Sequence, residues 1–291
     1  MLRFNTFGQI LVAWAIFCAL VVTVGTVDAH PGAENKILLL NDKIVQNPGS
    51  QMLHVQRGSV WSVEGHFEEA LADFQMAESL GDPLAVAFEL GVLFYRKGDF
   101  VTAKAYFDTT LEALPGHAPS LEYRARVLRD AGEYEAATVD LTRFLSLTAR
   151  PNPGHYIAAA RLLLEQNDGF DDRGVEAALN MLDKGMDQLG LIPQLQKYAV
   201  ELELKFESRQ NHLESAVGRH ESLRAMLGNT PQWNLRMAEL LSIAGEVENS
   251  RAYCDYALTR LETLKKTPAN LRLQAQVQEL ALALAMIRVG T

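Results

Sequence analysis

A period of 33–34 residues runs through the first half of the chain and restricts its possible folds more than any other feature. Glycines recur at Gly65, Gly98 and Gly132, and an aromatic residue stands two positions after each of them. Several columns of small or large apolar residues keep the same step: Ala70, Ala103 and Ala137; Phe74, Phe107 and Leu141; Trp61, Phe94 and Leu128. Columns that share one period indicate an array of similar units, each of which buries its apolar face on the next.

Each unit has the pattern of two helices joined by a short turn. Between residues 51 and 83, apolar and small residues such as Gly58 and Trp61 recur at steps of three and four, which is the spacing of one helix face. Gly65 interrupts this pattern, and a second apolar stripe follows it. The small residues predict close helix crossings, in which Gly58 and Ala70 leave room for a large neighbouring side chain.

These positions resemble the tetratricopeptide repeat, whose pattern is Trp-x2-Leu-Gly-x2-Tyr, a turn glycine, Ala-x3-Phe, a small residue and a proline. The matching residues of the first three units are Gly58, Trp61, Gly65, Ala70, Phe74, Ala77 and Pro83; Leu90, Gly91, Phe94, Gly98, Ala103, Phe107 and Pro115; and Ala125, Leu128, Gly132, Ala137 and Leu141. The resemblance implies an all-α fold: a tetratricopeptide-type helical-hairpin solenoid, coiled as a right-handed superhelix, with about six helix pairs and capping helices.

The strength of the pattern divides the chain into segments. Three well-matched repeats occupy residues 51–149, and degenerate helical-hairpin repeats occupy residues 150–262, where the signature decays. Residues 30–50 and 263–291 are predicted to be an N-terminal and a C-terminal capping helix, because the end units of a stack need a cover for their apolar faces. A coiled-coil partner site is the alternative interpretation of the apolar stripe on the last helix.

Residues 1–29 have the features of a signal peptide. Arg3 precedes an apolar run from Ile10 to Val24, and a cleavage site for signal peptidase ends at Ala29. We therefore expect an exported protein, periplasmic or secreted, that begins at His30 after cleavage. An uncleaved membrane anchor is the alternative, because the apolar run with its flanks approaches the about 20 residues that span a bilayer.

Charge and motif content argue against several functional classes. Twenty-seven Lys and Arg stand against 36 Asp and Glu, and a net charge of −9 disfavours nucleic acid as a partner. The two cysteines are too few for a disulfide framework, and Cys254 lies on an apolar helical stripe, which predicts a buried thiol. Phosphate-binding loops, zinc-protease motifs, serine-hydrolase motifs and Cys-x-x-Cys are missing from the sequence. We therefore expect no catalytic residues, no bound metal and no cofactor.

Two histidines are the remaining candidates for chemistry. As the first residue after cleavage, His30 would carry an α-amine beside its imidazole, and this pair can bind copper if a second histidine completes the site. A frayed terminus is the simpler interpretation. His220 lies on an apolar helix face with Leu213 and Leu223, which predicts a core or edge histidine with satisfied hydrogen bonds rather than a functional one.

The first helix of each unit carries the candidate binding residues. In the resembled family, first helices line a concave groove that binds peptide segments of partner proteins. Aromatic and arginine residues dominate binding hot spots, and guanidinium groups pair with carboxylates. Residues that lie off the packing stripe would face such a groove, and at the centre of the array these are Phe88, Tyr95, Arg96, Tyr123, Arg126, Arg129 and Arg161.

The sequence thus predicts a non-catalytic protein-interaction scaffold or adaptor of the cell envelope, with a basic, aromatic groove for another protein or an acidic peptide. In the alternative interpretation, the arginines pair with Glu89, Glu122 and Glu165 and only keep a helix face solvated. Two other classes stay open. One is a membrane-tethered accessory subunit of an envelope machine, held by residues 8–27, and the other is a copper-binding protein or enzyme that uses His30.

Overall fold

A computed structural model of the chain describes residues 32–166, 172–205 and 209–287. Within these ranges the backbone forms helices and turns and contains no β-strand. The predicted signal peptide, its alternative as an anchor, and His30 lie outside the described residues. Among the described helices, none combines the length and apolar character that crossing a lipid bilayer requires.

The described residues contain six consecutive helix pairs, which confirms the predicted fold class. The helices are α1 (Ala33–Gln46), α2 (Gln51–Val63), α3 (Phe67–Leu80), α4 (Leu84–Lys97), α5 (Phe100–Ala113), α6 (Ala118–Asp130), α7 (Tyr134–Leu147), α8 (Pro153–Gln166), α9 (Asp172–Leu189), α10 (Pro193–Lys205), α11 (Arg209–Ser222), α12 (Arg224–Leu227), α13 (Pro231–Ile243), α14 (Val247–Glu262) and α15 (Pro268–Ile287).

The first helices of the six pairs are α2, α4, α6, α8, α10 and α13, and the second helices are α3, α5, α7, α9, α11 and α14. The chain divides into two compact units between Ser120 and Leu121, inside α6. Unit 1 comprises the helices before this point, and unit 2 comprises the helices after it. The right-handed superhelical path implied by the resemblance stays a prediction.

The periodic glycines end the first helices. Four of them have a backbone φ of 78–82°, which is a left-handed conformation that glycine adopts at little cost. In each case the amide of the following residue donates a hydrogen bond to the carbonyl five residues before it, as His66 does to Trp61 at 2.9 Å. This pattern is a Schellman-type helix end, and it occurs at Gly65, Gly98, Gly132 and Gly245.

In unit 1, a phenylalanine of each second helix packs directly over a glycine of the first helix. A Cβ atom on Gly58 would lie 2.8 Å from the ring of Phe74, and one on Gly91 would lie 2.5 Å from the ring of Phe107. Both rings are fully buried. The close crossings predicted for these glycines are therefore confirmed.

The terminal helices cover the ends of the two units. In unit 1, α1 buries Ile37 and Leu40 against α2. In unit 2, α15 buries Val277 and Leu284 in a cluster with α13 and α14. The apolar stripe predicted for α15 extends to Ile287, but this residue is 52% exposed at the last turn of the helix.

The thiol of Cys254 lies in the same cluster of unit 2 and is fully buried. Burial raises its pKa to about 11, because an apolar environment disfavours the thiolate. The prediction of a buried thiol at this position is confirmed.

Candidate functional site

A hydrogen bond connects two first helices of unit 1. Ser59 of α2 donates to the carboxylate of Glu89 on α4 at 3.1 Å. Burial raises the pKa of Glu89, and the bond from Ser59 and the charge of Arg96 oppose this rise. Arg96 itself is exposed at the end of α4.

The two aromatic candidates of unit 1 pack against neighbouring rings. Phe88 is half-buried, and its ring centroid lies 6.1 Å from that of Phe107 and 5.1 Å from that of His117. Tyr95 lies 5.6 Å from Phe100, also ring to ring. Each side chain therefore presents only part of its ring to solvent.

In unit 2, Glu122 of α6 is the centre of a charged cluster. It accepts a hydrogen bond from Arg126, and the Nε2 atom of His155 on α8 lies 3.3 Å from its carboxylate. The hydrogen bond with His155 lowers the pKa of Glu122, and the charge and hydrogen bond of Arg126 act in the same direction. The cluster joins two consecutive first helices.

Two arginines of unit 2 lie over tyrosine rings. The guanidinium carbon of Arg126 is 5.1 Å from the ring centroid of Tyr123, and that of Arg161 is 5.4 Å from the ring centroid of Tyr198. Both distances are within cation–π range. Sequence reasoning missed Tyr198 as a site residue, because its spacing places it on the packing stripe of α10.

The remaining predicted arginine, Arg129, pairs with the adjacent Asp130 at 2.7 Å. Together with the Arg126–Glu122 pair, this contact reduces the positive charge that the sequence predicted for the surface. The alternative interpretation, in which arginines pair with nearby acids, holds for Arg126. Phe88, Tyr95 and Arg96 belong to unit 1, and Tyr123, Arg126, Arg129 and Arg161 belong to unit 2.

Buried ion pairs connect the two helices of some hairpins, and sequence reasoning did not identify them. Arg57 donates from Nε and Nη2 to Asp73 at 2.8 and 2.6 Å, and Arg124 donates in the same way to Asp140 at 2.7 and 2.8 Å. Both aspartates are buried. The signal was present, because the two pairs have the same 16-residue separation and lie 67 residues apart, about twice the period.

A third arginine connects three helices of unit 2. Arg219 of α11 donates to both carboxylate oxygens of Asp183 on α9, at 2.6 and 2.8 Å, and to Glu203 on α10 at 2.9 Å. Ser215 also donates to Glu203, at 2.6 Å. These bonds raise the pKa of Arg219, so its charge is a fixed part of the scaffold.

A cavity of about 430 Å³ opens in unit 2 between α10 and the helices α11 to α13. Its lining includes His220 and Trp233, whose rings stack at 5.0 Å with an interplanar angle of 12°. The indole of Trp233 donates to the carbonyl of His220 at 3.1 Å, and Nε2 of His220 lies 2.9 Å from the carbonyl of Trp233. Since a carbonyl only accepts, Nε2 carries a proton.

His220 is buried, and burial lowers its pKa, so the ring is neutral near pH 7. The prediction of a core or edge histidine with a satisfied hydrogen bond is confirmed. Within the described ranges, no group of three or more His, Cys, Asp or Glu side chains could hold a metal ion. The copper site considered for His30 falls outside these ranges and stays untested.

The chain has the fold of tetratricopeptide repeat proteins. It is similar to the C-terminal part of a TPR repeat-containing protein from Cytophaga hutchinsonii, with a TM-score of 0.61 and 13% sequence identity over 82% of this chain and 96% of that chain. A tetratricopeptide repeat protein from Parabacteroides merdae has a TM-score of 0.46 and 14% identity over 83% of this chain and 91% of that chain. The sequence matches no family model and no curated protein. The resemblance predicted from the sequence is confirmed for the fold.

Proposed function

We propose that this chain is a non-catalytic scaffold or adaptor that binds a segment of another protein on its first helices. The observation that carries the proposal is the pair of arginine–tyrosine stacks in unit 2. Arg126 with Tyr123 and Arg161 with Tyr198 place large, partly exposed side chains on α6, α8 and α10. Such residues contribute most of the binding energy in protein interfaces.

The chemistry of these stacks favours acidic partner segments. A guanidinium group that lies over a ring keeps N–H donors at its edge, and these donors can form two parallel bonds with one carboxylate. The ring also restricts the arginine rotamers, so less side-chain entropy is lost on binding. Arg161 fits this role best, since Arg126 already shares its charge with Glu122.

The place of action is proposed to be the cell envelope, on the basis of the predicted signal peptide in residues 1–29. Mass spectrometry of the protein from its own cells tests this directly. A chain that begins at His30 supports export with cleavage. A chain that retains the apolar segment and fractionates with membranes supports the tethered accessory subunit instead.

Site-specific photo-crosslinking tests the binding surface. A photo-reactive residue is placed at Tyr123 or at Arg161, and the matched control is placed at Val139, which is 62% exposed on the second helix α7. We expect one partner to crosslink from both first-helix positions and not from Val139. Equal crosslinking from all three positions would contradict a binding surface on the first helices.

Charge reversal then tests the chemistry of the same surface. Arg126→Glu with Arg129→Glu should reduce the crosslink formed from Arg161 to the partner. The control combines Arg143→Glu with Arg150→Glu, which makes the same change in net charge at two other exposed positions of unit 2. If both double variants crosslink as well as the original chain, the arginines do not contribute to partner binding.

A further inference from the structure

The cavity beside His220 and Trp233 has the properties of a specific binding pocket. Its volume of about 430 Å³ lies within the ~300–1,000 Å³ range of ligand sites. Its lining is contributed by the first helices α10 and α13 and by the segment that connects them. The lining residues are Lys197, Val200, Glu201, His220, Leu227, Thr230, Gln232, Trp233 and Arg236.

The inner wall of this pocket is apolar and rigid. Val200 and Trp233 are both 2% exposed, and Leu227 packs in the same cluster as Trp233. The two hydrogen bonds between His220 and Trp233 hold their stacked rings in place. A pocket whose wall is already formed binds an apolar side chain with little cost for ordering that wall.

The outer residues of the pocket add two positive charges. Lys197 of α10 is exposed, and Arg236 of α13 is half-buried and pairs through Nη1 with Glu239 at 2.9 Å. The other guanidinium nitrogens of Arg236 retain donors for a further acceptor. Glu201 is the only acid among the lining residues, and His220 adds no charge while it is neutral. Two cations and one acid therefore line the pocket, in a chain of net charge −9, and no carboxylate of the described lining residues forms an ion pair with Lys197.

We infer that this pocket binds one large apolar side chain of a partner polypeptide together with a carboxylate next to it in the partner sequence. The apolar side chain occupies the space against Trp233 and Val200, and the carboxylate contacts Lys197 and Arg236. This inference rests on the proposed function and adds a second contact point on the first helices of unit 2. It predicts that the bound segment of the partner contains an aromatic or large aliphatic residue adjacent to Asp or Glu.

Tryptophan fluorescence tests the pocket, because Trp233 forms its wall. Replacing Trp14 and Trp61 by Phe makes Trp233 the only tryptophan of the full chain, and Phe94 already occupies the position of Trp61 in the next repeat. The probe is the blocked peptide acetyl-Ser-Asp-Phe-Asp-Ser-amide. The comparison peptides carry Asn in place of both Asp residues, or Ser in place of Phe.

We expect the probe to change the emission of Trp233 and to bind about fivefold or more tightly than either comparison peptide, as one charge-assisted contact or one buried ring allows. Lys197→Glu should weaken binding of the probe by a similar factor. Lys184→Glu is the control, since it changes the charge equally at an exposed position of α9 that does not line the pocket. Melting temperatures of both variants establish that they are folded.

Three results would overturn the inference: no change in the emission of Trp233, equal affinity for the Asp and Asn peptides, or tighter binding of free 3-phenylpropionate than of the probe. The last result would assign the pocket to a small carboxylate. Crosslinking of a partner from Tyr123 and Arg161 is measured as an independent experiment on the same protein. If the partner crosslinks from these positions but the probe peptide does not bind the pocket, the proposed function stands and the inference about the pocket is wrong. If the probe binds but no partner crosslinks, the binding surface at Tyr123 and Arg161 is wrong and the pocket stands.

Discussion

The first and third repeats differ from the second at one pair of positions. In the first repeat Arg57 of α2 holds Asp73 of α3, and the third repeat has the same contact between Arg124 and Asp140. In the second repeat the corresponding positions hold Leu90 and Tyr106, one period away from the charged residues of the first and of the third repeat. Leu90 is buried, and the ring of Tyr106 stacks on Phe94 at 5.6 Å.

The difference shows that one hairpin geometry accepts two kinds of contact. The ion pairs join a first helix to a second helix across 16 residues, whereas in the second repeat Tyr106 joins the two helices by stacking on Phe94. In unit 1 the glycine–phenylalanine crossing is present in both repeats. A buried ion pair has to recover the cost of desolvating its charges, whereas an apolar pair has no such cost. The ion pairs are therefore interchangeable with apolar contacts in principle, but they cannot be broken on one side without a penalty.

Removing one partner of an ion pair should have the largest effect. Asp73→Ala leaves Arg57 without its carboxylate in a partly buried site, and we expect a loss of about 3 kcal/mol in the free energy of unfolding. Asp140→Ala should cause a similar loss in the free energy of unfolding, through Arg124 of unit 2. Urea unfolding measures both losses. Asp108→Ala is the control, because Asp108 pairs with Lys104 on the surface, and a loss as large as that of Asp73→Ala would remove the distinction between buried and surface pairs.

Filling the glycine crossing of the second repeat should have the next largest effect. A methyl group at Gly91 would lie 2.5 Å from the buried ring of Phe107, so Gly91→Ala should cost about 2 kcal/mol through overpacking. Gly116→Ala is the matched control, since no atom lies within 4 Å of a Cβ there. Equal unfolding midpoints for the two variants would show that the crossing relaxes freely.

Exchanging the whole pair should have a smaller effect than breaking it. The double variant Arg57→Leu with Asp73→Tyr gives the first repeat the residues of the second. We expect it to lose less free energy of unfolding than Asp73→Ala, because no charge of the pair is left unpaired. The loss that remains comes from His54 and Asn41, whose hydrogen bonds to Asp73 and Arg57 are removed. A loss as large as that of Asp73→Ala would mean that the first repeat requires the ion pair itself.

The smallest expected effects concern two carboxylates on first helices, Glu89 in unit 1 and Glu122 in unit 2, whose pKa values shift in opposite directions. The raised pKa of Glu89 means that its ionisation opposes folding above that pKa, so Glu89→Gln should stabilise the protein at pH 7. This gain should shrink as the pH falls through the raised pKa towards the ordinary value of 4.5.

For Glu122 the sign is reversed. Its lowered pKa stabilises the folded chain above the ordinary value of 4.5, and this stabilisation is lost as the pH falls through the lowered pKa. Glu122→Gln should therefore lower the melting temperature at pH 7, and the difference should disappear in acid. Thermal melts of both variants between about pH 3 and pH 7 measure the two trends. Parallel curves for the two variants would contradict the opposite shifts.

Much of the fold could be predicted from the sequence because its signals are local. Gly65, Gly98 and Gly132 mark helix ends through their own backbone conformation, and the apolar stripes show which helix faces are buried. The site could be predicted only in part. The sequence identified Tyr123, Arg126 and Arg161 as candidates, and its alternative interpretation named Glu122 as an acid that pairs with the arginines. It did not pair Arg161 with Tyr198 or Arg129 with Asp130.

The sequence by itself determined the period, the helix pairs and the capping helices, since each of these follows from spacing within about 34 residues. Only the tertiary structure decided that Arg57 meets Asp73, that Arg219 connects three helices, and that α10 and α13 enclose a pocket beside Trp233. The physical reason is that an ion pair or a cavity depends on distances between helices. Those distances are set by how side chains of different helices pack, and the pattern within any one helix leaves them open.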